Sequence, residues 1–213
     1  MSHWTQTDIA ELPSRVRANL INSIAGFKPA LLVGTASASR GSNLAIFSNI
    51  FHIGATPPLI GLLVRPSPEG TARHTLDNVL ATRHYTLNHI TLEQAANAHL
   101  TSARYNRDES EFRACGFVEQ WREDSHAPYV AGAAIQIGMQ LVEHHLLSIN
   151  QTHLVIGTVS AIYTQPELVR EDGSVNLNGA DSTVVAGLDS YHSTSDGQRF
   201  SYAKPNQAPL RQT

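Results

Sequence analysis

The chain has 213 residues, of which 41% are hydrophobic and 15% are charged, and its formal net charge is -3 at pH 7. This length can bury a hydrophobic core, the composition excludes wholesale disorder, and the weakly acidic balance with few lysines disfavours nucleic acid or an anionic membrane as a partner. The single cysteine, Cys115, excludes an internal disulfide and a cysteine-based metal cluster, and because no apolar run or signal-peptide profile indicates membrane insertion or export, we expect a cytoplasmic protein.

The first half of the chain begins with a helical pattern and continues with short strands. Apolar residues recur at helical spacing from Val16 to Phe27 and predict a helix over residues 13–25, which Gly26 can end. Short apolar runs bounded by turn residues predict strands at residues 30–36, 43–47, 59–64 and 84–90, with a turn at residues 39–42.

Three further helices are predicted between these strands and the middle of the chain. The first spans residues 75–82, with Leu76, Val79 and Leu80 facing inward. The spacing of Thr91 and Gln94 is that of a capping box, which predicts a helix through Leu100. Asp108 and Glu111 repeat that spacing before a short helix that ends at Gly116.

The second half is dominated by strand patterns. Residues 135–148 and 153–164 predict two long strands joined by a turn at Asn150 and Gln151, and residues 184–188 form a last apolar segment. From His192 onward the composition predicts an irregular tail. Because strands outnumber helices and do not alternate with them, we expect one mainly β domain, an antiparallel barrel or sandwich with peripheral helices, over residues 1–213.

Several common motifs are absent. The chain has no Gly-rich dinucleotide fingerprint, no phosphate-binding loop of the Walker type and no nucleophile elbow. His144, His145 and His153 are the closest histidine group, but neighbouring strand residues point to opposite faces, so we expect no metal site there. Solvated or interface histidines are the alternative.

A polar loop precedes a buried strand between Gly41 and Val64. Asn43, Ser48 and Asn49 flank four apolar residues, and small and amide side chains let backbone groups approach a ligand closely. The pattern favours the polar edge of a flat aromatic ligand. The alternative is a plain hairpin whose asparagines satisfy turn geometry.

A cationic segment follows this strand. Arg65 ends the strand, and Arg73, His74 and Thr75 stand where a helix begins, a place that favours an anion such as phosphate. Asn78 lies one turn further and either reaches the same ligand or is solvated. The alternatives are a surface ion pair for Arg65 and a helix N-cap role for Thr75.

Two residues near the last apolar segment are candidates for a proton donor. Tyr191 could cover one face of an aromatic ring, and His192 beside it could supply a proton. The alternative is a surface pair in a mobile tail. The tail also keeps Phe200 and Tyr202, which suggests packing against another surface.

In several short motifs the sequence resembles the flavin reductase-like, FMN-binding split-barrel family, which includes flavoredoxin. The motifs are the loop from Gly41 to Asn49, Pro-Pro-Leu-Ile-Gly at residues 57–61, Arg65, the helix start at residues 73–78, Tyr-Thr-Leu-Asn at residues 85–88 and Ile-Gly-Thr-Val at residues 156–159. The resemblance covers about residues 20–192. Thr158 replaces a glutamate that is frequent in the family, so no role of that carboxylate is carried over.

This resemblance implies a Greek-key split β-barrel, a homodimer and FMN near the subunit interface, with FAD as the alternative cofactor. It places Asn43, Ala45 and Ser48 near the flavin ring, and Ile46 and Asn49 of the same loop are further candidates for cofactor binding. It places a second group near the ribityl phosphate: Arg65, Arg73, His74, Thr75 and Asn78. Residues 193–213 form an extension that could fold over the flavin or the partner subunit.

The leading functional hypothesis is therefore an FMN-dependent oxidoreductase, a flavin reductase or a flavoredoxin-like electron-transfer protein. Reduced nicotinamide, NADH or NADPH, would donate the electrons, and a flavin, a small molecule or a redox protein would accept them. The first alternative is a non-enzymatic flavin-binding or electron-carrier protein of the same fold. A hydrolase that uses one of the serine and histidine pairs is a third hypothesis, disfavoured because no elbow is present.

Overall fold

The computed structural model describes residues 1–39, 41–67, 73–123, 125–195 and 197–212, so Arg40 of the predicted turn lies outside the described residues. The helices are α1 (Gln6–Glu11), α2 (Ser14–Ile24), α3 (His74–Thr82), α4 (Ala95–Leu100) and α5 (Glu111–Ala114), with 3₁₀ turns at Leu92–Gln94 and Pro166–Leu168. Across the described residues, every helix is too short or too polar to span a membrane.

Fourteen strands are present in the described residues, and seven of them form one antiparallel sheet. These seven are β2 (Leu31–Ala36), β3 (Ser42–Phe47), β4 (Ile50–Ala55), β5 (Pro58–Val64), β6 (His84–His89), β9 (Ile135–Leu147) and β10 (Thr152–Thr164). The short strands are β1 (Lys28–Pro29), β7 (Glu119–Gln120), β8 (Tyr129–Val130), β11 (Val184–Ala186), β12 (Ser190–His192), β13 (Arg199–Phe200) and β14 (Arg211–Gln212).

The large sheet closes on itself because of its strand order. The order is β3-β2-β6-β9-β10-β5-β4, so β3 and β4 stand at opposite edges. Only Ser48 and Asn49 separate these two strands along the chain. A two-residue link cannot cross an open seven-stranded sheet, so the edges must lie side by side. The expected mainly β split barrel with peripheral helices is confirmed.

Two hydrophobic clusters hold the barrel together. The inner cluster takes buried side chains from β2, β4, β5, β6, β9 and β10 and adds Leu76 and Val79 of α3. The outer cluster joins Leu32 and Leu44 to Phe112 and Cys115 beside α5. Strands β2 and β3 are therefore covered on both faces, which fixes β3 as one wall of the site described below.

Most predicted elements are confirmed, and the long hairpin is the clearest case. Strands β9 and β10 pair over their whole length, with Gln151 in the left-handed region of the turn at φ 58°. The capping box of Thr91 and Gln94 is formed. Gly116 adopts φ 77° just after α5, where a helix end favours glycine.

Other expectations are wrong in ways that have physical reasons. Ser110 rather than Asp108 occupies the N-cap of α5, because the carboxylate of Glu111 is used elsewhere. Leu80 is 41% exposed, since it lies on the outer face of α3. The tail after His192 is not wholly irregular, because β13 pairs with β14. Phe200 and Tyr202 remain exposed and do not pack within the chain.

Several elements escaped the sequence patterns. Helix α1, strand β4 and the 3₁₀ turn at Pro166–Leu168 are missing from the predictions, as are the short strands β1, β7, β8, β12, β13 and β14. Strand β4 has an exposed outer portion in which Phe51, His52 and Ile53 are successively exposed, so it carries no alternating signal. Helix α2 was predicted, but none of its residues is buried in the single chain.

Candidate functional site

A cleft of about 670 Å³ opens where the two barrel edges meet. Its floor and first wall come from Ala45 through Asn49, the stretch that links β3 to β4. The end of β5 and the start of α3 form a second side, and residues 101–105 form the side opposite. This volume is within the range of pockets that enclose cofactor-sized molecules.

Nine of the ten residues predicted to bind a cofactor line this one cleft. They are Asn43, Ala45, Ile46, Ser48, Asn49, Arg65, Arg73, His74 and Thr75. The barrel closure brings them together, because it places edge strand β3 beside edge strand β4, and β5 is the neighbour of β4 in the sheet. Their contact with a ligand stays a prediction.

Asn78 is the tenth residue, and it does not line the cleft. It is buried on α3, where its amide Nδ2 donates to Thr35 Oγ1 at 3.1 Å, so it is neither solvated nor placed for direct ligand contact. Thr75 Oγ1 and Thr35 Oγ1 both accept from Asn43 Nδ2, at 3.1 and 3.3 Å. This network of four buried polar side chains ties α3 to β2 and β3 beneath the cleft.

Thr75 therefore does not act as the N-cap considered from the sequence. Helix α3 begins at His74, and Arg73 occupies the N-cap without a side-chain capping bond. Thr75 is the second helical residue, and its hydroxyl is used by Asn43. The helix start thus presents Arg73 and His74 to the cleft, with no side chain capping its first N–H groups.

Arg65 lies at the cationic end of the cleft and is held in place by α2. Its Nη2 donates to Asn22 Oδ1 at 2.7 Å, so within the described part of the chain its partner is an amide and not the carboxylate of a surface ion pair. Burial and the nearby charge of Arg65 both lower the pKa of Lys28. Arg73 Nη2 donates to the carbonyl oxygen of Pro66 at 3.3 Å. An anion here would relieve the repulsion between cations.

The outer edge of β3 is closed by side chains instead of by another strand. Glu111 Oε2 accepts from the N–H of Leu44 at 2.9 Å, and Thr101 Oγ1 accepts from the N–H of Ile46 at 2.9 Å. Since outward N–H groups alternate along a strand, the next one on this side belongs to Ser48. Of these three outward N–H groups, the one left for a ligand is that of Ser48, which also lines the cleft.

Glu111 is a site residue that the sequence reasoning used only as a helix-capping partner. It lines the cleft and is 5% exposed. Burial raises the pKa of its carboxyl group, the bonds from the N–H groups of Leu44 and Glu111 itself lower it, and the charge of Glu109 raises it. The sequence signal that could have indicated this place in the cleft is an acidic residue next to an apolar one, Phe112.

Other lining residues were also missed. They are Asn22, Thr101, Ser102, Arg104 and Tyr105. Tyr105 contacts Cys115 through its hydroxyl at 3.4 Å, and that bond is the main cause that raises the pKa of Tyr105 to about 12. Asn22 lies on α2, whereas the other four follow α4 in a segment without periodic pattern, so only the folded chain reveals that they line the cleft.

The two candidate proton donors do not line the cleft of the single chain. Tyr191 hydrogen-bonds His99 Nδ1 at 3.0 Å, and His192 bonds Ser190 and packs edge-on against Phe27. Both lie on β12, which pairs with β11, so they do not form a pair in a mobile tail either. Leu188, just before this strand, is the residue of this region that reaches the cleft.

The three histidines on the long hairpin do not share one partner. His144 Nε2 and His153 Nδ1 are 2.8 Å apart across β9 and β10, while His145 pairs with Glu143 at 2.7 Å. His144 and His145 thus point to different partners. Within the described residues, no group of three or more potential ligands is placed to hold a metal ion.

Comparison with known proteins gives a consistent picture. The family model described as "Flavin reductase like domain" matches residues 26–183. A split-barrel protein of Shewanella frigidimarina, proposed to be a flavin reductase, is 39% identical with a TM-score of 0.91, over 95% of this chain and 100% of that chain.

Two more distant structures have the same fold. Nitrilotriacetate monooxygenase component B from Bacillus cereus is 19% identical with a TM-score of 0.80, over 92% of this chain and 97% of that chain. An FMN-binding protein from Thermus thermophilus is 18% identical with a TM-score of 0.69, over 96% of this chain and 99% of that chain.

The buried polar network beneath the cleft gives a stability prediction. Thr35→Val removes the acceptor of Asn78 Nδ2 and one acceptor of Asn43 Nδ2, so it should cost about 1–3 kcal/mol of unfolding free energy. Thr183→Val is the matched control, because the Thr183 hydroxyl is buried without a partner and its loss should cost nothing or stabilise. Urea unfolding midpoints measure both, and equal effects would contradict the role of the network.

Proposed function

Because the chain belongs to the flavin reductase-like domain family, we propose that it binds FMN in this cleft and works as an FMN-dependent oxidoreductase. The observation that carries the proposal is the polarity of the cleft. Arg65, Arg73 and His74 gather at one end, and the Asn43–Asn49 segment supplies amide, hydroxyl and backbone groups at the other. A ligand with a phosphate at one end and a polar aromatic ring at the other matches both.

The residues present suit the two ends of FMN. Arg65 and Arg73 would hold the ribityl phosphate, with the first N–H groups of α3 nearby. The stretch from Ala45 to Ser48 would support the ring, and Ser48 would offer it a backbone N–H. The bound flavin itself supplies hydride-transfer chemistry, while the protein binds, orients and shields it. FAD remains the alternative cofactor. Its extra nucleotide would extend beyond the phosphate end of the cleft, so the flavin part could bind as in FMN.

We propose reduced nicotinamide as the electron donor and a flavin, a small molecule or a redox protein as the acceptor. Ser102, Arg104 and Tyr105 line the cleft, and a second planar molecule that approaches a bound ring would contact this wall. The competing function is a non-enzymatic electron carrier with the same fold. We also propose a cytoplasmic location, in keeping with a single unpaired cysteine.

A homodimer is part of the proposal, and helix α2 supports it. Val16, Ile24 and the adjacent Phe27 are 49%, 70% and 67% exposed in the single chain, although they recur at helical spacing. An apolar helix face without a cover is typical of an interface. The second copy would cover this face and stand next to Asn22, which holds Arg65, so assembly would border the phosphate end of the cleft.

The cationic end is tested with two ligands that differ by one phosphate. Arg65→Ala should weaken FMN binding by about 10- to 100-fold, because it removes a charge-assisted contact with the phosphate. Riboflavin binding should stay nearly unchanged. Quenching of flavin fluorescence measures both dissociation constants. Arg15→Ala on the exposed side of α2 is the control. Equal losses for FMN and riboflavin would show that Arg65 does not bind the phosphate.

Anaerobic stopped-flow mixing separates the enzyme from the carrier. If the protein is a nicotinamide-dependent oxidoreductase, NADH or NADPH should reduce the protein-bound flavin faster than it reduces free FMN at the same concentrations, because the cleft orients the two rings. Reduction no faster than that of free FMN, with tight FMN binding retained, would favour the carrier.

The proposed interface is tested by charge insertion. The wild-type chain should elute as a dimer in size-exclusion chromatography with light scattering, and Ile24→Glu should shift it toward monomer, because a buried unpaired charge is costly. Asn19→Glu on the same helix is the control, since Asn19 is polar and already exposed. A wild-type monomer, or a dimer unaffected by Ile24→Glu, would remove α2 from the interface.

A further inference from the structure

Glu111 places a carboxyl group in the wall of the cleft without a cationic partner among the described residues. Its side chain is 5% exposed, and its carboxylate Oε2 receives the N–H of Leu44 at 2.9 Å. Among the residues that the structure describes, no basic side chain lies within 4.0 Å of this carboxylate. A buried carboxylate that is hydrogen-bonded but has no counter-ion is costly, so its presence in a binding cleft calls for a functional reason.

The position of Glu111 relative to the ring-binding segment is fixed by its bond. Leu44 stands between Asn43 and Ala45, two residues predicted to lie near the flavin ring. The carboxylate therefore sits at the ring end of the cleft, whereas Arg65 and Arg73 form the phosphate end. Because those arginines are exposed, solvent screens them more than it screens the buried carboxylate.

We propose that the negative charge of Glu111 makes the cleft bind oxidised flavin more tightly than reduced flavin. This inference rests on the proposed function, since it concerns flavin in the same cleft. Two-electron reduction with uptake of one proton gives the ring a negative charge, and a like charge buried nearby disfavours that form. Held this way, reduced flavin would leave the protein more readily than oxidised flavin, which suits transfer to a separate acceptor.

Other groups titrate or carry charge around Glu111, and the test must allow for them. On its own segment the charge of Glu109 faces it, and Tyr105 and Cys115 are electrostatically coupled to it from the same wall. From the facing sides the cations of the cleft act on the same ring: Arg65, Arg73, His74 and Arg104.

The test compares the dissociation constants of oxidised and anaerobically reduced FMN at pH 8. Glu111→Gln keeps an oxygen acceptor for Leu44 but removes the charge. It should improve reduced-flavin affinity relative to oxidised-flavin affinity on the order of tenfold, as for removal of a like charge from a partly buried site. That ratio corresponds to a rise of about 30 mV in the two-electron potential.

Two matched variants separate charge from shape. Glu111→Asp keeps the charge and should retain the wild-type ratio, while Glu109→Gln removes an exposed charge two residues away and should also leave it nearly unchanged. The difference between wild type and Glu111→Gln should shrink as the pH falls through the pKa of Glu111, because the wild-type carboxyl becomes neutral. A structural role alone would not produce that pH dependence.

The outcomes distinguish this inference from the proposed function. Failure of the wild type to bind FMN in either redox state contradicts the proposed function. Normal binding with an unchanged ratio in Glu111→Gln overturns the role of Glu111 alone. If Glu111→Gln does not fold, the ratio is measured at pH 8 in Glu111→Ala and Glu111→Met, which also lack the carboxylate. An unchanged ratio in a folded variant overturns the inference, and a shift toward reduced flavin supports it.

Discussion

The closure of the β3 edge by side chains is the constraint on which the site depends. An edge strand needs partners for its outward N–H groups, and a further strand would fill the space where the cleft lies. Glu111 and Thr101 satisfy two of these groups, at Leu44 and Ile46, and leave the strand straight and the cleft open. The split in the barrel persists because two side chains occupy the place of a neighbouring strand.

This arrangement divides the cleft into parts with different chemistry. Toward the end of β5 and the start of α3 the cations gather, and Asn22 of α2 orients Arg65 among them. Along β3 the polar groups are neutral apart from Glu111. A molecule with a charged tail and a polar ring would thus be oriented in one sense only. The buried network of Asn43, Thr35, Thr75 and Asn78 keeps the two parts at a fixed separation.

The local patterns could be predicted from the sequence, whereas the long-range contacts could not. Short motifs indicate local features of the backbone, such as a helix start or a strand end. For this reason the sequence identified the polar loop from Asn43 to Asn49 and the cations from Arg65 to His74. Glu111, Arg104 and Asn22 were not identified, because their place in the cleft follows from the barrel closure. Asn78 shows the converse: its spacing on α3 suggested a ligand contact, yet burial turns its amide toward Thr35. Tyr191 and His192 lie on β12, which pairs with β11 and not with the cleft of the same chain, so their role as proton donors stays a prediction.

The most direct test of the central claim is a crystal structure of the protein soaked or grown with FMN. The phosphate is predicted to lie beside Arg65 and Arg73, with the ring along Ala45 to Ser48 and within reach of the Ser48 N–H. A flavin bound elsewhere on the molecule, or one whose ring lies between the two arginines with its phosphate against β3, would contradict the account.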